Sequence, residues 1–108
     1  MRIYISLPIS GHNLSERIAE ANKIADIINA LGHHAVNPLH GPAAPTCANE
    51  AEQYAFYMGE DLKELLMCHA VYFAPGWQTS RGCRLEHAAA EIYGFEIFYD
   101  LDKIQQSE

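Results

Sequence analysis

Four short β-rich runs alternate with three segments of helical periodicity in a chain of 108 residues, and that alternation limits the fold more than any other feature. The first run is Ile3-Tyr4-Ile5-Ser6-Leu7, ended by Pro8. Ser10-Gly11-His12-Asn13 is turn chemistry, and Asn13 followed by Glu16 has the spacing of a capping box. Leu14, Ile18, Ala21, Ala25 and Ile28 then recur at helical spacing until Gly32 closes the helix. His34-Ala35-Val36-Asn37 is a second short strand. Pro38 to Thr46, with three prolines and a glycine, reads as a loop without regular structure, and loops of that length in a compact domain tend to carry function. Asn49 to Met67 reads as a second helix with Ala51, Ala55, Met58, Leu62, Leu65 and Leu66 on one face. Ala70-Val71-Tyr72-Phe73-Ala74 is the third strand, Pro75-Gly76-Trp77 turns the chain, and a helix runs from Gly82 to Tyr93 with Gly94 placed to stop it. Phe95-Glu96-Ile97-Phe98-Tyr99 is the last strand, and Asp100 to Gln106 reads as a terminal helical turn.

Parallel neighbours need crossovers, and such crossovers are right-handed, so the order βαβαβαβ predicts an α/β domain with a mainly parallel sheet of four to five strands and helices on both faces. Ligands in such sheets collect at the carboxyl ends of the strands. Three segments converge there: Leu7 to His12, Pro38 to Thr46 and Pro75 to Arg81.

A length of 108 residues with 49% hydrophobic and 19% charged content is that of one globular domain spanning 1–108. The net charge of -7, from 14 acids against 7 bases, opposes broad attraction to a nucleic acid polymer or an anionic membrane. A small-molecule partner is the expectation that remains. Cys47, Cys68 and Cys83 are an odd number with no CxxC spacing, and the chain opens directly into a strand without a charged-then-apolar leader. A reduced, cytoplasmic protein is expected. The apolar runs fall far below the roughly 18 residues that a membrane-spanning helix needs.

The stretch with the most chemistry is Ser80-Arg81-Gly82-Cys83-Arg84-Leu85-Glu86, where the third strand's turn becomes a helix. Amides freed at a helix start favour anions, Ser80 adds a hydroxyl, and Gly82 permits close approach to the backbone. Glu86, four residues after Gly82, rises on the same side. On a wheel of about 100° per residue, Leu85, Ala88, Ala89 and Ile92 define the buried face, Arg84, His87 and Glu91 point away, and Glu86 falls at the edge between them. Asp61 occupies a similar flank of the preceding helix beside Tyr54 and Tyr57. Two carboxylates at one sheet edge suit a division of work between nucleophile and general acid, although an isolated Glu in a helix is more often a solvated surface charge.

Other residues carry weaker signals. Cys83 with His87, and Cys68 with His69, fit no established zinc spacing, so no metal is expected. Trp77 suits either a platform for a base or a filler of its turn. Phe56 falls on the outer face of its helix, which points to a homodimer or higher homo-oligomer.

Three elements together, Tyr4-Ile5-Ser6-Leu7-Pro8-Ile9-Ser10-Gly11, an Asp near the end of the second helix, and Ser80-x-Gly82-x-x-x-Glu86, resemble the nucleoside 2-deoxyribosyltransferase superfamily and its deoxynucleotide N-hydrolases. The resemblance covers nearly the whole chain and is nearest to small phage and bacterial proteins of unknown function that carry Pro-Gly-Trp-x-x-Ser-Arg-Gly. It implies a flavodoxin-like three-layer sandwich that acts on the N-glycosidic bond of a 2'-deoxynucleoside or its 5'-monophosphate without metal or organic cofactor. It implies Glu86 as nucleophile on the anomeric carbon, Asp61 as acid toward the base, Tyr4 as the hydroxyl that orients Glu86, and Ser80 with Gly82 near the 5' end. Ser10 and Gly11 of the first loop, with Arg81 and Trp77 of the third, complete the expected substrate contacts. The phosphate-reading hydrolases carry an arginine where this chain has Ser10, which leaves Arg81 as the charge partner for a phosphate; an acid that often starts the third strand is His69 here. A non-catalytic nucleotide-binding module on the same fold is the alternative, because function belongs to the site and not to the fold.

Overall fold

Period-2 alternation along the strands sorts the core into two faces, and that sorting places the site. The structure is a computed structural model and describes residues 1–9, 11–40, 46 and 48–107. The elements run β1 (Arg2–Ser6), α1 (Leu14–Ala30), β2 (His34–Val36), α2 (Glu50–Leu66), β3 (Ala70–Phe73), α3 (Arg81–Ile92) and β4 (Glu96–Phe98). Among the described residues the sheet has four strands in the order β2-β1-β3-β4, every pair parallel. Ile3, Ile5 and Leu7 pack with Ala21, Ile24 and Ile28 of α1 on one face; Tyr4, Val71 and Phe73 pack with Leu65 of α2 and Ala90 of α3 on the other. This is a three-layer, flavodoxin-like sandwich. Because β1 and β3 are neighbours whose following helices lie on opposite faces, the crevice at their carboxyl ends is a topological switch point.

Each helix begins on a side-chain cap. The Oδ1 atoms of Asn13 and Asn49 accept from the amides of Glu16 (3.1 Å) and Glu52 (2.9 Å), and Ser80 Oγ accepts from that of Cys83 (3.2 Å). Such a cap contributes about 1 kcal/mol. Gly32 and Gly94 follow α1 and α3 with φ of 86° and 70°, the left-handed geometry that ends a helix. Among the described residues no helix is long and apolar enough to cross a membrane.

The structure corrects several expectations drawn from hydropathy. In α1, Leu14 and Ile18 are exposed and border the cleft, while Ile24 is in the core. In α2, Leu65 is the buried residue and Leu66 at the helix end is exposed; Ala51 and Ala55 are exposed as well, in the early turns that wall the cleft through Ala51, Tyr54 and Met58. Phe56 is half-buried and meets Tyr57 edge to face at 5.5 Å; the exposed aromatics of this helix are Tyr54 and Tyr57. In α3 the buried residues are Cys83, Glu86 and Ala90, and Leu85 and Ile92 face outward. The wheel ranked α3 by hydropathy alone, and what turns this helix is a carboxylate with hydroxyl partners on the sheet. Pro38–His40, expected to lack regular structure, forms a 3-10 turn; Pro38 stands at its first position, where the missing amide costs nothing. The terminal turn is also a 3-10 helix, Leu101–Lys103.

Candidate active site

Tyr4 and Ser6 are two residues apart on β1, so both side chains leave the sheet on the face covered by α2 and α3. Both are fully buried. From the opposite wall Glu86 of α3 comes down between them: the Tyr4 hydroxyl donates to Oε2 and the Ser6 hydroxyl donates to Oε1 at 2.8 Å. Each carboxylate oxygen thus has its own donor. Glu86 is 5% exposed, and burial pushes its carboxyl up to about 7 against the pull of the two hydroxyls; the charge of Asp61 adds to the rise. Burial and the Glu86 charge hold Tyr4 well above the usual phenol range, so it stays a donor. Burial likewise raises the Cys83 thiol, which lies beside Ser6 and Ser80.

Asp61, at the rim, is pushed up to about 6, chiefly by burial and then by the neighbouring Glu60. Two carboxyls with different environments therefore share the site, and near neutral pH each has access to both protonation states.

Above them opens a cleft of about 1190 Å³. Tyr4, Asp61, Ser80, Arg81, Gly82 and Glu86 all line it, together with the exposed Tyr54 and Tyr57 of α2. Arg81 is the one Lys or Arg among the described lining residues, and its guanidinium lies 5.7 Å from the centre of the Tyr54 ring. A Cβ on Gly82 would meet Met58 Sδ at 3.3 Å, so α2 is among the things that come close to this backbone. Ser80 Oγ caps α3, and the first-turn amides of Arg81 and Gly82 have no intrahelical acceptor, which leaves a place for an anion or hydroxyl at this end of the cleft.

Two other expected contacts sit elsewhere, and a third falls outside the described residues. The Trp77 ring is not part of the described cleft wall; it stacks on His87 at 4.2 Å and 17° and also faces Phe73 and Tyr99. His87 is held in turn by the Tyr99 hydroxyl at 2.7 Å and Glu91 at 2.9 Å. Gly76, at φ 89°, makes the turn that brings Trp77 onto this stack. Gly11 is exposed with φ 81° and lies outside the lining. Ser10 lies outside the described residues. His69 accepts from the Arg2 amide at 3.0 Å, a contact that ties β1 to the start of β3.

A family model described as a domain of unknown function, DUF4406, matches residues 1–99. The chain belongs to the DUF4406 family. No curated protein sequence matches it. Among solved structures, the 2-deoxyribosyltransferase of the psychrotolerant bacterium Bacillus psychrosaccharolyticus, characterised as a biocatalyst for nucleoside synthesis, superposes with a TM-score of 0.67 at 18% identity, over 90% of this chain and 69% of that one. At that identity the likeness shows the fold alone.

Sequence reasoning passed over Ser6 as a site residue. The signal was present: a polar residue at i+2 from Tyr4 in an apolar strand must share the face of Tyr4 and must find a partner there.

Proposed function

We propose that this DUF4406 protein acts on the N-glycosidic bond of a 2'-deoxynucleoside or its 5'-monophosphate, as a hydrolase or a transferase, through a covalent glycosyl ester of Glu86. The observation that carries the reading is the Glu86 carboxylate, buried at the floor of an open cleft with a hydroxyl on each oxygen. An oxygen of ionised Glu86 attacks the anomeric carbon; the carbon–nitrogen bond breaks, its electron pair passes to the base, and the protonated Asp61 carboxyl supplies a proton to the departing nitrogen. Water or a second base then attacks the same carbon, gives up a proton to the Asp61 carboxylate, and releases Glu86 as the carboxylate. Positive charge grows on the sugar during both steps, and a fixed carboxylate stabilises it. Asp61, raised to about 6, retains a fraction of its acid form near neutrality. In this reading the Ser80–Gly82 turn receives the 5' end, with Arg81 as charge partner if that end is phosphorylated, and the presence of all three residues in the cleft lining supports it.

The test is incubation with a panel of deoxynucleosides and their 5'-monophosphates, followed by chromatography for free or exchanged base. Release by the wild type and a loss of about a thousandfold or more in Glu86→Gln, some 4 kcal/mol of barrier, is the expected result. Retention of most activity by Glu86→Gln would overturn the nucleophile. Saturable binding with no turnover of any member would replace the enzyme with a nucleotide-binding module.

A further inference from the structure

We infer that Ser6 is a positioning residue for Glu86: from the sheet beneath the cleft it fixes one oxygen of the carboxylate and favours its ionised form. This rests on the reading of Glu86 as a nucleophile, but its physical core does not need activity to be measured.

Ser6 is fully buried, and it is absent from the cleft lining. It therefore acts through Glu86 and not on a ligand. Its hydroxyl donates to Oε1 at 2.8 Å while Tyr4 donates to Oε2, so the carboxylate plane is pinned at two points on one strand. One point alone would leave the group free to swing about the bond to that oxygen. Two donors from β1 against one side chain from α3 also define the distance of helix from sheet at this level. A buried hydroxyl that donates to a carboxylate favours the charged form, because the bond to an ionised oxygen is stronger than the bond to a protonated carboxyl.

Among the described residues three titratable groups interact with Glu86. Tyr4 reaches it from β1, Asp61 adds negative charge from α2, and the Cys83 thiol lies beside it at the start of α3. Asp61 and burial oppose ionisation, and both hydroxyls favour it. Removing Ser6 leaves Oε1 of a carboxylate that is only 5% exposed without its donor. The carboxyl then holds its proton to higher pH, and a protonated carboxyl does not attack carbon.

The experiment is a carbon-13 NMR titration of the Glu86 side-chain carboxyl in the 108-residue chain, without substrate, in an Asp61→Asn background that removes the second titrating acid. Ser6→Ala is expected to raise the midpoint by about one pH unit or more, the scale of one hydrogen bond to a buried charge. Ser6→Cys, a weaker donor of similar shape, is expected to fall between the wild type and Ser6→Ala, and it serves if the alanine variant does not fold. With Asp61 restored, the acid limb of kcat/KM moves upward in parallel, while KM changes little. An unmoved midpoint in a folded variant overturns the inference, since a packing role would lower thermal stability without touching the titration. A raised midpoint in a protein that cleaves no deoxynucleoside supports the role of Ser6 and removes the glycosidic reading instead.

Discussion

The Tyr4 hydroxyl donates to Oε2 of Glu86 across 82 positions of sequence, joining the central strand to the helix that follows the third strand. The contact closes the site at its floor and gives a buried acid a reason to be there. It also makes the carboxyl depend on the folded state for its proton affinity, which has consequences for stability as well as for chemistry.

Burial raises Glu86 from an ordinary value of 4.5 to about 7, so the folded protein holds this proton more tightly than the unfolded chain does. The resulting stabilisation is complete below the ordinary value and is lost as pH rises from about 4.5 through about 7. Glu86→Gln, which carries no titrating proton, escapes that loss. Relative to the wild type it should gain roughly 2 kcal/mol or more between pH 5 and pH 8. Urea denaturation at the two pH values checks this, and parallel curves would show that Glu86 is not the titrating group.

Asp61→Asn keeps the shape of the side chain and removes its acid. Because the role proposed for Asp61 is to protonate the departing base, the cost should be large, about a hundredfold, for substrates whose base leaves poorly. For bases that leave easily the cost should be small. The measurement is kcat across a series of deoxynucleosides graded by leaving ability, and a uniform loss would assign Asp61 to binding.

Arg81 is the one Lys or Arg among the described cleft-lining residues, and it stands at the first position of α3. Arg81→Ala should weaken a deoxynucleoside 5'-monophosphate by about tenfold or more and leave the nucleoside nearly unchanged, the scale of one charge-assisted hydrogen bond. Calorimetric titration with both ligands decides it. Equal losses would mean that its work is the contact with Tyr54.

The homo-oligomer expected from Phe56 and its neighbours on α2 remains a proposal; Phe56 is half-buried, and beside it Tyr54 and Tyr57 are 43% and 40% exposed. Light scattering at micromolar concentration should give at least twice the 12.1 kDa chain mass, and Tyr54→Glu with Tyr57→Glu should lower it. A monomer mass for the wild type removes the proposal.

Much of the fold was legible residue by residue. Asn13, Asn49 and Ser80 stand where caps belong, Gly32 and Gly94 stand where helices stop, and the alternation of Ile3, Ile5 and Leu7 with Tyr4 and Ser6 announces a strand covered on both faces. These features depend on neighbours within four residues, so local geometry alone imposes them. The order of strands and helices then leaves few topologies, and the parallel sheet follows from the need for crossovers. Ser80 and Glu86 could be singled out from the turn and helix start after the third strand, where ligands of such sheets collect, whereas the roles of Tyr4 and Asp61 came with the resemblance to nucleoside 2-deoxyribosyltransferases.

Only the tertiary structure decided which way α3 turns. Hydropathy favours burial of Leu85 and Ile92, yet Glu86 is inside and they are outside, because the hydroxyls of Tyr4 and Ser6 satisfy a buried carboxylate that would otherwise be costly to desolvate. The same distinction governs Trp77, whose place against His87 depends on a helix face and a strand end brought together in space. A sequence determines its local periods, caps and turns by itself. The balance between burying a charge and satisfying it is set by partners 80 residues away, and that balance exists only once the chain has closed on them.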